Sequence, residues 1–135
     1  MGLSIKVIDV DPDYLGIEIH ASNGRYSGSA PIYADHEQLS DVADHISGFP
    51  ANPREERIYE FGEHGPAFAG GYCRIALRCS DQAGHIVLEV LIEDYDKLTM
   101  AQFSFQVEAA AIDEFAGRLR GMERARQGEA RLRAV

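Results

Sequence analysis

Nowhere in its 135 residues does the sequence hold an apolar run near the ~18 residues that a membrane-crossing helix needs. The opening MGLSIKVIDVDPD also lacks the basic region and following apolar stretch of a secretory signal. The chain therefore reads as cytoplasmic, with no membrane partner. Cysteine is scarce: only Cys73 and Cys79 occur. Six residues apart in one expected strand, they lie ~20 Å apart on a shared face. A disulfide needs Cα atoms within ~7 Å, so the two read as small buried hydrophobes.

The usual marks of chemistry are missing as well. No HExxH, CxxC or His-x-His spacing occurs, and no G-x-S-x-G. Gly62, Gly65, Gly70 and Gly71 form neither a phosphate loop nor a dinucleotide fingerprint, since no Gly-Lys-Ser/Thr follows and no helix opens there. His36 and His45 stand nine apart on one expected helix, on opposite faces at 100° per residue, and cannot share a metal. Asp9, Asp11 and Asp13 resemble the start of a calcium loop. Tyr14 stands where that loop needs glycine, however, and His20 where it needs glutamate. A polar turn explains them better. No cofactor or metal is indicated.

What is present is an acidic, otherwise ordinary composition: 45% apolar, 26% charged, net charge −9. The charge is uneven. Residues 118–135 carry six arginines against Glu123 and Glu129, an excess of +4, and the residues before them carry the remaining 7 basic and 20 acidic groups, or −13. Such a body repels phosphate backbones, which argues against nucleic acid, and attracts a basic protein.

Residues 72–105 fix the fold class. The run YCRIALRCSDQAGHIVLEVLIEDYDKLTMAQFSF alternates apolar and polar residues through three segments with a turn between each pair, an antiparallel meander. If Ser80 pairs with His85, Ile75 lies opposite Val90 and Leu77 opposite Leu88. Arg74 and Arg78 then lie diagonal to Glu89 and Glu93 on the other face. Upstream, strands are expected over 4–10, 14–21 and 25–33, the second and third joined at Asn23-Gly24. Gly28 and Pro31 place the third at an edge or bulge, open to pairing between two copies in a homodimer. A helix over 35–48 is expected from Leu39, Val42, Ala43 and Ile46, with Asp35 as cap and Gln38 completing a capping box. A short strand over 57–61 follows. A second helix over 108–122 buries Ala111, Ile112, Phe115, Leu119 and Met122.

The expected order is βββ–α–ββββ–α: one α+β domain over 1–122, an antiparallel sheet with two helices packed on one face. Residues 123–135 read as a frayed Arg-rich extension.

The segments GSAPIYADHEQLSDVADHISGFP, YEFG, YCRIALRCSDQAGHIVLEVLIE and AQFSFQVEAAAIDEFAGRL resemble a group of small uncharacterised bacterial proteins. Some relatives of that group act as immunity proteins beside polymorphic or contact-dependent toxins. The likeness spans roughly residues 25–120, mostly core and turn positions. It implies a small α+β protein without enzymatic activity that neutralises a toxin. Many toxins are basic, which suits the −13 body. The expected partner-binding residues are Glu89, Glu93, Asp94, Tyr95 and Asp96, with His64 from the Gly/Pro-rich loop 62–71. Two other readings compete: a ligand pocket between sheet and helices, and an enzyme pairing His64 with a carboxylate.

Overall fold

The computed structural model of the chain describes residues 1–63 and 69–135. Its elements run β1 (Gly2–Val10), β2 (Leu15–Ser22), β3 (Ser27–Ala34), α1 (Gln38–Ile46), β4 (Glu56–Gly62), β5 (Tyr72–Cys79), β6 (Ile86–Glu93), β7 (Met100–Val107), α2 (Ala109–Ala125) and β8 (Glu129–Arg133). The class is α+β with antiparallel pairing, and the first nine elements follow the order expected from sequence. The strands divide between two sheets, however, β3-β2-β1-β8 and β4-β5-β6-β7. Period-two alternation tells a strand which face to bury. It does not tell the strand which neighbour to take.

The meander takes the register its hydrophobic pattern demands. Ile75 pairs with Val90 and Leu77 with Leu88, and the Ser80 amide donates to the His85 carbonyl at 2.8 Å. A one-residue slip of either strand would turn its two members of these pairs away from the core.

The tail differs from expectation. Residues 129–133 form β8, paired with β1 from Gly2↔Arg133 to Lys6↔Glu129. Ala130 and Leu132 point inward and are buried; Arg131 and Arg133 point outward and are exposed. The arginines mask a period-two pattern that begins just after Gly128.

The start of α1 also differs. Asp35 lies in a turn, where its carbonyl accepts the Gln38 amide, and Glu37 occupies the cap position without a side-chain cap bond. The donor that needs an acceptor, the Ser40 amide, is taken by Glu123 Oε1 of α2 at 3.0 Å. A carboxylate there favours the positive end of α1. The far end is closed by Arg57 on β4, whose guanidinium donates to the Ser47 carbonyl at 2.7 Å and the His45 carbonyl at 3.2 Å. Arg120 to Asp44 (2.8 Å) and the Gly48 amide to Asp113 (2.8 Å) tie the helices together.

Both sheets and both helices enclose one core. Ile5, Ile17, Ile19 and Leu132 come from the first sheet; Phe61, Ile75, Leu88 and Val90 from the second; Leu39, Val42, Phe115 and Leu119 from the helices. β3 crosses the ends of the second sheet. The Gly71 amide donates to the Pro31 carbonyl at 2.6 Å, and a Cβ on Gly71 would sit 2.7 Å from that of Ala30. Only glycine permits this approach. Proline and this contact leave the β3 edge little to offer another strand. The outer edge of β7 is occupied too: the Ser104 carbonyl accepts from Asn23 Nδ2 and the Gln106 carbonyl from the Val135 amide. Cys73 and Cys79 are both free thiols, Cys73 fully buried, and burial pushes its thiol pKa up.

Candidate functional site: an acidic face bearing tyrosines

The β6–β7 turn is built by its own side chains. The Asp94 amide donates to the Thr99 carbonyl, and the Lys97 amide to the Asp94 carbonyl. Asp96 Oδ1 accepts the Leu98 and Thr99 amides at 2.9 Å each, and Oδ2 accepts the Thr99 hydroxyl at 2.9 Å. Lys97 takes a left-handed conformation, φ 62°, and its Nζ donates to the Gly70 carbonyl. A turn held this way presents its remaining side chains at little entropic cost on contact. Those are Tyr95, 66% exposed, and Leu98, 89% exposed, with Met100 beside them.

From Gly70 the surface continues. The Tyr33 ring lies against Gly70, where a Cβ would come within 2.9 Å of it. Tyr33, 53% exposed, meets Tyr14 edge-on with centroids 4.9 Å apart. Tyr14 Oη donates to Asp9 Oδ2 at 3.0 Å, and that carboxylate holds the Tyr14 hydroxyl pKa above its ordinary value. A run of contacts thus joins the β6–β7 turn to the β1–β2 turn, where Asp11 Oδ1 accepts the Asp13 amide. Two acidic turns and three tyrosines share one side of the molecule.

The residues expected from sequence divide. Asp94, Tyr95 and Asp96 fall on this face, but the Asp96 carboxylate is committed to the turn. Glu93 is only 8% exposed, at the end of β6 opposite Tyr72 and Met100. Glu89 sits mid-strand on the outer face of the second sheet, accepting from Gln102 Nε2 at 3.2 Å. His64 lies outside the described residues. Tyr72, on the outer side of β5, is nevertheless buried and donates to Glu60 at 2.7 Å; burial and that carboxylate push its pKa up. Sequence reasoning missed Tyr14 and Tyr33, because nothing local beside β2 or in β3 signals that they are linked through Gly70 to the β6–β7 turn.

No family model, no curated protein and no solved structure matches this chain.

The turn carries a pH prediction. Hydrogen bonds from the Leu98 amide, the Thr99 amide and the Thr99 hydroxyl lower the Asp96 pKa. A lowered folded-state value means the contribution is complete above the unfolded value of ~3.9 and is lost as pH falls through the folded one. In an NMR titration the Leu98 and Thr99 amides are expected to shift together with a midpoint below ~3.9. A midpoint at or above that of a free aspartate counts against this account.

Proposed function

We propose that the chain is a non-enzymatic binding protein that occludes a basic protein partner, acting as an immunity protein does toward its toxin. The observation that carries this reading is the contact run Asp9–Tyr14–Tyr33–Gly70–Lys97, which joins two acidic turns and the exposed Tyr95 and Leu98. Acidic groups steer a basic partner and raise the association rate. Tyrosines supply rigid, amphipathic contact area once it has arrived. The resemblance in residues 25–120 and the −13 body point the same way. The interlayer-pocket alternative has less behind it, since the buried side chains of both sheets and both helices form one contiguous core among the described residues.

The test is affinity capture from native lysate with wild type and a Tyr33→Ala/Tyr95→Ala variant, at about 50 mM and about 500 mM salt, the captured protein being identified by mass. Higher salt shortens the screening length several-fold. Capture of a basic protein is expected at low salt, weaker at high salt, and reduced at least tenfold by the double variant, about 1.4 kcal/mol. An acidic captured protein, capture indifferent to the double variant, or no partner at either salt overturns the proposal.

A further inference from the structure

A second site lies away from the acidic face and has the opposite charge. On the outer surface of the first sheet a groove of about 590 Å³ is lined by Gly2, Ser4, His20, Ser22, Arg131 and Arg133, among others. Strand register explains it. Arg131 pairs with Ser4 and Ser4 with His20; Arg133 pairs with Gly2 and Gly2 with Ser22. In both rows the central strand carries a small residue, or none, between longer side chains. Arg131 and His20 stand two strand spacings apart, about 10 Å between Cα atoms, with Ser4 between them.

The groups around this notch are donors. Arg131 Nε is held by Glu129 Oε1 at 2.8 Å, which fixes the guanidinium plane and leaves its terminal nitrogens unspent. The Arg133 guanidinium and the Ser4 hydroxyl make no hydrogen bond among the described residues. His20 Nδ1 lies 2.6 Å from Ser29 Oγ. With the serine hydroxyl donating there, the imidazole hydrogen sits on Nε2, free to donate elsewhere. A second groove, about 390 Å³, adds Arg118 on the α2 side of β8. Glu129 is the one acidic side chain among those lining the first groove, and it is already paired with Arg131; the second groove also holds Glu114.

We infer that this groove binds a small phosphorylated molecule, its phosphate seated over Gly2 and Ser4. Guanidinium donors reach it from β8, an imidazole from β2 and a hydroxyl from beneath. Donors arriving from three directions suit a tetrahedral dianion better than a planar carboxylate, which a single fork would satisfy. The groove volume lies within the range of small-molecule sites. The inference does not depend on the partner proposed above.

Titration of the full chain with phenyl phosphate, inorganic phosphate and benzoate, followed by NMR and calorimetry, tests it. Saturable shifts at Ser4, His20 and Arg133 are expected, with phenyl phosphate binding tighter than benzoate. Arg131→Ala/Arg133→Ala is expected to weaken binding about 10- to 100-fold, as befits charge-assisted hydrogen bonds. Ser4→Val is expected to weaken it while leaving both arginines in place. Arg78→Ala, on the other sheet, is expected to change nothing. Thermal melts of each variant separate loss of binding from loss of fold. Shifts that do not saturate, equal affinity for benzoate, an unaffected double variant, or an equal loss in Arg78→Ala overturn the inference.

Discussion

Removing residues 129–135 is expected to abolish cooperative folding at room temperature. The cut takes away β8, and with it the pairing from Gly2↔Arg133 to Lys6↔Glu129. It also removes Leu132, 2% exposed, and Ala130, fully buried. Loss of a buried leucine alone costs about 2–5 kcal/mol. The β1 amides at Leu3 and Ile5, which face Leu132 and Ala130 on β8, lose their acceptors, at about 0.5–1.5 kcal/mol each, while the Val7 amide keeps the Gly128 carbonyl. The total approaches the 5–15 kcal/mol that holds a typical domain together. Arg131→Ser and Arg133→Ser, which alter only outward side chains, are expected to move stability by no more than about 0.5 kcal/mol. Urea denaturation followed by circular dichroism decides. A truncated chain with the wild-type midpoint returns residues 123–135 to a frayed extension.

Phe115→Ala should be among the most costly single substitutions, at about 3–5 kcal/mol. Phe115 is 1% exposed on α2, among the side chains that join both helices and both sheets into one cluster. Its cluster among the described residues is apolar, so the space a deleted ring leaves is one water does not favour. The unfolding midpoint in urea should fall with little change in slope, because the surface exposed on unfolding is nearly the same. A loss under about 1 kcal/mol would mean that α2 moves to fill the gap, and that the helix is less firmly seated than its packing indicates.

Local rules were enough for the meander, and its register followed from apolar pairs inside and opposite charges outside. They were also enough to place α2 and to put β3 at an edge. They failed where a partner distant in sequence decides. The α1 cap comes from Glu123, 83 positions away from Ser40, and a nearby Asp35–Gln38 capping pattern drew attention instead. β8 was hidden because arginines fill its outward positions, so its average polarity outweighed its alternation. The candidate face suffered in the same way. Asp94, Tyr95 and Asp96 stood out in one turn, but their neighbours Tyr14 and Tyr33 arrive from strands some 60–80 residues earlier. The basic groove was illegible for a plainer reason: its residues come from both extremities of the chain.

That closure has a temporal side. β1 is a central strand whose second neighbour, β8, is synthesised after all the other described elements, so the first sheet is completed only once they have all been made. Until then one side of β1 stays an open template for other chains. High average sequence separation between contacts slows folding and lengthens such exposure. Nascent chains stalled before residue 129 should therefore recruit holding chaperones, and released ones should not.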